Sequence, residues 1–198
     1  MSTCADAFAV IGLPRQAALD PEILRQSFQK KATAIHPDHA VDATDRAGRT
    51  VAFAALTEAQ RTLASLPLRL RHLRELLEGS LSVRTAAVMD AEMMSLFSEV
   101  GAALAAAESV RGRLADASTA LARALLSSDV MAVTGNLSSA MASVGAVRAA
   151  LEASLPAIDA ALQKHPPDPG PLRQACGTAG FLDKWESQLR AVYAALVF

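Results

Sequence analysis

The tripeptide His36-Pro37-Asp38 contains the residues of this sequence that are best suited to specific polar contacts. It directly follows residues 21–35, whose pattern predicts a helix. Proline disfavours α geometry at the residue before it, so the helix is expected to end at His36. An imidazole and a carboxylate are thereby placed in an exposed turn at a helix end, where a partner can reach them.

The helix predicted before this turn has a basic face. Its apolar residues Leu24, Phe28 and Ile35 fall near one side. The candidate partner-binding residues on the rest of the helix are Arg25, Gln29, Lys30 and Lys31. Positive charge of this kind steers association with an acidic surface. A basic face is also the ordinary solvated surface of a helix, and in isolation it would be interpreted that way.

The spacing of the polar residues disfavours metal binding and catalysis. His36 and His39 are three residues apart, but Pro37 prevents the helical geometry that would place both rings on one face. His72 and His165 are expected at the surface. The sequence contains no phosphate-binding loop and no nucleophile–base set. We therefore expect no enzymatic activity, no cofactor and no bound metal.

The composition indicates an all-α protein. Apolar residues make up 52% of the 198 residues and aromatic residues only 4%, so alanine and leucine supply most of the hydrophobicity. The net charge of −1 indicates neither a nucleic-acid partner nor a membrane partner. No apolar run approaches the roughly 20 residues that span a bilayer, and Met1 to Asp6 lack the basic start of a secretory signal. Cys4 and Cys176 form no CxxC pair, so we expect a cytoplasmic chain with two free thiols.

The first 78 residues are predicted to form four helices. These are expected at residues 5–13, 21–35, about 46–65 and 68–77. Asp20 is suited to cap the second helix, and Pro21 fits its first position. A polar connector at 39–45 and Pro67 separate the later helices.

After Gly79-Ser80-Leu81-Ser82 the sequence becomes alanine-rich, which predicts a linker at 79–87 and a second domain at 88–198. Three long helices separated by a turn and a proline-rich loop are expected there, at 88–126, 130–163 and 172–197. The positions expected to weaken or interrupt them are Gly112, Gly135, Gly145, Pro156 and Gly177–Gly180. The pattern favours a helical hairpin bundle over a strict coiled coil, because heptads are not sustained.

Residues 1–78 resemble a J-domain, a resemblance carried by the leading apolar segment, the basic helix and the His36-Pro37-Asp38 turn. Gly12-Leu13-Pro14 and Leu66-Pro67-Leu68-Arg69 are similar specifically to the HscB (Jac-type) co-chaperones of iron–sulfur cluster assembly. The segment Phe181-Leu182-Asp183-Lys184 with the helix after it is similar to the last helix of that family. The implied fold is an N-terminal J-domain helical hairpin followed by a C-terminal three-helix bundle.

This resemblance implies a co-chaperone that stimulates the ATPase of a DnaK- or HscA-type chaperone and presents an IscU-like scaffold protein to it. The implied chaperone-binding residues are His36, Pro37, Asp38, Arg25, Gln29, Lys30 and Lys31. The implied client-binding residues are Met89, Glu92, Met93, Met94, Leu96, Glu99 and Phe181. Packing in the core of the bundle remains an alternative for each apolar member of the second set.

The chain also departs from that family. The first bundle helix of HscB proteins is strongly acidic, whereas residues 89–99 carry few acids here. Two alternatives therefore remain open: a J-domain co-chaperone whose divergent bundle recognises another client, and a non-catalytic helical interaction protein with a degenerate J-fold.

Overall fold

A computed structural model describes residues 5–79 and 90–197, and every regular element within these ranges is a helix. The predicted all-α class is therefore confirmed. Most of the predicted linker at 79–87, together with Met89, lies outside the described residues. Contacts divide the chain into two compact units. We call Met1–Ala86 with Ser154–Cys176 the N-terminal unit, and Ala87–Ala153 with Gly177–Phe198 the bundle unit.

The N-terminal unit begins with four helices in the predicted order. They are α1 (Ala7–Ile11), α2 (Pro21–Ile35), α3 (Ala43–Ala64) and α4 (Leu66–Glu78), with a 3-10 turn at Pro37–His39 after α2. α1 packs against α2 and α3, and α3 packs against α2 and α4. The α2–α3 hairpin of the predicted fold is thus present, with the 3-10 turn in its connection.

Local capping sets the ends of these helices. The Asp6 carboxylate accepts a hydrogen bond from the backbone N–H of Phe8 at 3.0 Å, and α1 ends at Gly12 with a φ of +81°, a conformation that favours glycine. Asp20 caps α2, as predicted, by accepting from the N–H of Glu22 at 2.8 Å. α3 begins slightly earlier than predicted, because Asp42 caps it.

Large apolar side chains from three of these helices form the core of the N-terminal unit. Those less than 2% exposed are Phe8, Ile11, Leu56, Leu63, Leu70 and Leu73. They come from α1, α3 and α4, which explains why α1 is ordered although it is only five residues long. The amphipathic α2 adds buried Leu24 and leaves its polar face in solvent.

Residues 154–176 also belong to the N-terminal unit. They comprise the last turns of α7 (Ser127–Leu162), the first turns of α8 (Gly170–Val197) and the proline-rich loop between them. Both carboxylate oxygens of Asp159 accept hydrogen bonds from this unit, from the N–H of Ala17 at 2.6 Å and of Ala18 at 2.9 Å. Arg173 forms an ion pair with Glu78 of α4. This arrangement differs from the predicted division, in which all of 88–198 formed the second domain.

The bundle unit is built on α5 (Ala91–Asp116), the short α6 (Ala120–Leu125) and the remaining parts of α7 and α8. α5 runs through Gly112 without the predicted interruption, and the break comes instead before Thr119, which caps α6. α7 continues through Pro156, and α8 continues through the predicted break at Gly177–Gly180. Packing against neighbouring helices offsets the weak propensity of these positions.

Buried residues of the bundle unit recur with alternating spacings of three and four. On α5 they are Met93, Leu96, Val100, Ala103, Ala107 and Val110, and on α7 Val133, Leu137, Ala140 and Val144. This spacing is the heptad pattern of a coiled-coil seam. Each stretch is shorter than the roughly three to four heptads that a coiled coil requires, so neither contradicts the expected helical bundle. Alanine occupies three of these positions and also occurs on the exposed faces, so the pattern could not be recognised in the sequence.

Two helices, α5 and α7, are long and apolar enough to cross a membrane by length and composition alone. Their most apolar 18-residue windows have mean hydropathies of 1.2 and 1.3. Polar residues interrupt every apolar run in these two helices, so the length of the apolar runs did not indicate a membrane span. Their alanine residues nevertheless keep the mean hydropathy high. One face of each helix is buried in the core of the bundle unit.

Candidate functional site

The turn His36-Pro37-Asp38 lies between α2 and α3, where the sequence placed it. His36 ends α2 with φ −59° and ψ 132°, outside the α region, and Pro37 begins the 3-10 turn. The Asp38 side chain is 87% exposed and the His36 side chain 43% exposed. Both polar groups are therefore available to a partner.

A hydrogen bond within the turn fixes the tautomer of His36. Its Nδ1 accepts from the backbone N–H of Asp38, with 3.2 Å between the nitrogens. A ring nitrogen that accepts a hydrogen bond carries no proton, so the neutral imidazole bears its proton on Nε2. The Asp38 carboxylate lies 3.5 Å from the same Nδ1 and is otherwise open to solvent.

Aromatic contacts hold the ring of His36. The ring of Phe53 on α3 meets it edge-on, with 5.4 Å between centroids and 79° between planes. His39 packs on it in a similar way at 6.0 Å. An open groove runs beside these rings; it is lined by Phe28, Gln29, Ala32, Thr33, His36, Asp38, His39 and Phe53. Phe53 was not among the predicted site residues, because only tertiary packing brings it to the turn.

Part of the positive charge on α2 is already paired. Arg25 is exposed, but its Nε donates to the Glu22 carboxylate at 2.8 Å and its Nη1 donates to Gln29 at 3.1 Å. Hydrogen bonds that Glu22 accepts, first from Arg25 and then from Gln26, lower the pKa of its carboxyl to about 2, so Glu22 is ionised at neutral pH. Arg25 and Gln29 lie together on the exposed side of α2, with the local charge partly cancelled.

The two adjacent lysines of α2 have different environments. Lys31 is half-buried, and its ammonium donates to the Val10 carbonyl at 2.6 Å, which ties α2 to α1. Lys30 is exposed, and its ammonium forms no hydrogen bond with residues 5–79 or 90–197. Lys30 is thus a free charge on this face, whereas Lys31 supports the packing of the two helices.

The predicted client-binding residues of α5 are divided between core and surface. Met93 and Leu96 are 6% and 4% exposed and belong to the core of the bundle unit. Both side chains therefore pack in the core, which was the alternative to client binding, and they are not at the surface. Met94, in contrast, is 50% exposed. Glu92 is exposed, and the Glu99 carboxylate accepts a hydrogen bond from the Ser143 hydroxyl at 2.9 Å.

An apolar surface on the bundle unit is formed by Met94, Phe97 and Phe181, above the buried Trp185. Phe97 is 52% exposed, and its centroid lies 6.1 Å from that of Trp185. Phe181 is half-buried and stacks on Trp185 at 5.7 Å. Met94 is three residues before Phe97 and so lies on the same side of α5. We call these three residues the Met94–Phe97–Phe181 surface. Trp185 was visible in the sequence but had no spacing that set it apart from core residues.

The remaining histidines fall in opposite environments. His165 is exposed in the proline-rich loop, as expected. The expectation for His72 is wrong: its side chain is 3% exposed, and its Nε2 accepts from the backbone N–H of Ala7 at 3.0 Å. His72 therefore supports the start of α1. Among the residues that the structure describes, no group of three or more His, Cys, Asp or Glu side chains could hold a metal ion.

Comparison with known proteins identifies a fold. No protein-family profile matches the chain, and no curated protein matches its sequence. Among solved structures, the chain is similar to chaperone HscB from Vibrio cholerae, with a TM-score of 0.57 and 19% sequence identity. The similarity covers 97% of this chain and 99% of that one. The chain thus has the fold of an HscB-type chaperone along nearly its whole length, as its sequence motifs indicated.

Proposed function

We propose that this protein is an HscB-type co-chaperone that stimulates the ATPase of a DnaK- or HscA-type chaperone. The observation that carries the proposal is the position of His36-Pro37-Asp38, exposed at the end of the basic helix α2. Three residues alone are weak support. Their place in a chain with the HscB fold over 97% of its length makes the support specific.

In this proposal the protein carries out no bond chemistry, and ATP is hydrolysed by the partner. The free charge of Lys30 on α2 steers association with an acidic surface, which raises the association rate. The Asp38 carboxylate and the His36 ring then contact the hydrolysis-competent state of the chaperone. Stimulation requires tighter binding to that state than to the resting state, by about 1.4 kcal/mol for each tenfold increase in rate.

The second half of the proposal assigns the client to the bundle unit. The Met94–Phe97–Phe181 surface offers methionine and phenylalanine side chains, which suit a protein partner with an apolar anchor. Glu92 is exposed on the same helix but two residues before Met94, so it lies on a different side of α5, and Glu99 is already held by Ser143. An IscU-like scaffold is the client that the HscB fold favours. The iron–sulfur cluster would be cargo of that scaffold, and the expected location is the cytoplasm.

Single-turnover ATP hydrolysis tests the first half of the proposal. A DnaK-type chaperone loaded with ATP is mixed with wild-type protein, with His36→Gln or with His165→Gln. Glutamine at position 36 lacks the ring that packs on Phe53, so wild-type protein is expected to accelerate hydrolysis and His36→Gln is not. His165→Gln, an equally conservative change in an exposed loop, is expected to behave as wild type. Failure of wild-type protein to stimulate would refute the proposed chaperone partner.

Binding to a purified IscU-like scaffold tests the client. Met94→Ala and Phe97→Ala are each expected to weaken binding by about tenfold, the effect of losing an interface anchor of 1–2 kcal/mol. Met131→Ala is the matched control, because Met131 is a 75% exposed methionine elsewhere in the bundle unit. Equal losses for Met94→Ala and Met131→Ala would remove this surface from the proposal. Absence of wild-type binding would indicate a different client.

A further inference from the structure

An ion pair on α3, between Asp45 and Arg49, forms hydrogen bonds to the backbone at both ends of the connection between α2 and α3. The Arg49 Nη1 donates to the backbone carbonyl of Ala34 at 3.1 Å. The Asp45 carboxylate accepts from the backbone N–H of Val41 at 3.1 Å. Arg49 Nε in turn lies 2.9 and 3.0 Å from the two carboxylate oxygens of Asp45. We call this arrangement the Asp45–Arg49 clamp.

The clamp joins the backbone on both sides of the polar turn. Ala34 precedes His36 by two residues, and Val41 follows Asp38 by three. Hydrogen bonds from Val41 and Arg49 lower the pKa of Asp45, so its carboxylate is ionised at neutral pH and the clamp is intact. The two ends of the turn are therefore held at a fixed separation by side chains that lie outside it.

The same side of α3 also holds the ring of His36. Phe53 is four residues after Arg49, so the side chains at positions 45, 49 and 53 follow one another along one face of the helix. Phe53 meets the His36 ring edge-on at 5.4 Å. One face of α3 thus holds the backbone on both sides of the turn and also orients the imidazole ring of His36.

We propose that Asp45, Arg49 and Phe53 are positioning residues that hold His36 and Asp38 in the arrangement that stimulates the chaperone. This inference rests on the proposed function. A turn ordered before binding loses less conformational freedom when the partner docks, so more of the contact energy is available for binding the activated state. The Arg49 side chain is 27% exposed and that of Asp45 35% exposed, so solvent still reaches this i, i+4 ion pair and it adds little to overall stability. The main effect is therefore expected at the turn and not in the fold.

Conservative variants test this role. Arg49→Lys keeps the positive charge but has a single ammonium, which cannot reach both Asp45 and the Ala34 carbonyl with the geometry of a guanidinium. Phe53→Leu keeps an apolar side chain but removes the ring edge, and Phe53→Tyr restores a ring. Arg61→Lys is the matched control, because Arg61 pairs with Glu58 on the same helix and both are exposed.

The readout is single-turnover ATP hydrolysis by a DnaK-type chaperone, titrated with each variant. Arg49→Lys and Phe53→Leu are expected to lower the maximal stimulated rate by about tenfold, which corresponds to about 1.4 kcal/mol lost from contact with the activated state of the chaperone. The half-saturating concentration should change less, because the exposed charge of Lys30 is untouched. Phe53→Tyr and Arg61→Lys should stimulate as wild type does, and melting temperatures should be unchanged. Wild-type stimulation by both Arg49→Lys and Phe53→Leu would overturn the inference.

A second measurement does not depend on the chaperone. Ring resonances of His36 and the amide resonance of Asp38 are recorded by NMR for the same variants. Arg49→Lys and Phe53→Leu are expected to shift them, and Arg61→Lys is not. If wild-type protein gives no stimulation, the proposed function fails, and these resonances still decide whether α3 positions the turn. Unshifted resonances in both variants would overturn the clamp.

Discussion

The carboxylate of Asp159 is expected to anchor the last turns of α7 to the N-terminal unit. Its two oxygens accept from the N–H groups of Ala17 and Ala18 at 2.6 and 2.9 Å. Ala17 is fully buried, and its carbonyl accepts from Arg69 Nε at 3.0 Å. Because Arg69 holds this residue from the other side, its N–H cannot readily turn towards solvent when Asp159 is lost.

The size of the effect follows from these two hydrogen bonds. A hydrogen bond to a charged group contributes about 1.5–3 kcal/mol, and a buried N–H left without an acceptor costs about 1–3 kcal/mol. Ala18 is only half-buried, so water can replace part of its bond. Asp159→Ala is therefore expected to lower the free energy of unfolding by about 2–4 kcal/mol. Asp159→Asn retains one acceptor oxygen and is expected to lose about half as much.

Urea unfolding of the full chain, followed by circular dichroism, measures this difference. Glu152→Ala is the control, since Glu152 is an exposed acid on the same helix, and its effect should stay within about 0.5 kcal/mol. Hydrogen exchange at the Ala17 amide should accelerate in Asp159→Ala. Equal stabilities of Asp159→Ala and Glu152→Ala, with an unchanged Ala17 exchange rate, would refute the role of this anchor.

Three further predictions concern His72, the two lysines of α2 and Cys176. His72→Leu removes the acceptor for the first N–H of α1 and should lower the free energy of unfolding by about 1–3 kcal/mol, measured by urea denaturation. Lys31→Met should lower the melting temperature, because it removes the hydrogen bond from Lys31 to the Val10 carbonyl of α1. Lys30→Met should leave the melting temperature unchanged but slow association with a DnaK-type chaperone at low salt. The reverse pattern would contradict the environments assigned to the two lysines. Burial raises the pKa of the Cys176 thiol from 9.0 to about 11. The folded state therefore holds the thiol proton more tightly than the unfolded state does. Cys176 should be alkylated much more slowly at pH 8 than a free cysteine. Its contribution to the free energy of unfolding should fall as the pH rises from 9.0 towards 11. Alkylation at the rate of a free cysteine, followed by peptide mass spectrometry, would contradict this.

Features with a local cause could be predicted from the sequence. Asp20 and Pro21 start α2, and Pro37 ends it, so the predicted and observed bounds of this helix coincide. The exposed turn follows from the same proline. The overall HscB-type fold could be recognised because motifs at both ends of the chain point to one family.

Features that depend on distant residues could not be predicted. His72 has the composition of a surface residue, and only the packing of α1 on α4 buries it. Asp159 and Ala17 meet across more than a hundred residues of sequence, so no local pattern assigns Ser154–Cys176 to the N-terminal unit. Alanine is compatible with both buried and exposed helix positions. The buried seam of α5 could therefore be identified only from the solvent exposure of each residue in the structure.

The proposed client surface shows the same limit. Met93 and Met94 are adjacent and chemically identical, yet one is buried and the other is half-exposed. A shift of one residue turns a helix by about 100°, and sequence alone did not fix that rotation. The contacts of Phe97 and Phe181 with Trp185 define the exposed face instead.

In the proposed function, the exposed carboxylate of Asp38 acts on a DnaK-type chaperone. Single-turnover ATP hydrolysis by that chaperone, titrated with wild-type protein and with Asp38→Asn, tests it most directly. Asparagine has nearly the same shape and keeps the backbone N–H that donates to His36 Nδ1, so the turn is retained while the charge and one acceptor oxygen are removed. Strong stimulation by wild-type protein and little by Asp38→Asn, at equal melting temperatures, is the predicted result. Equal stimulation by both proteins, or none by the wild type, would contradict it.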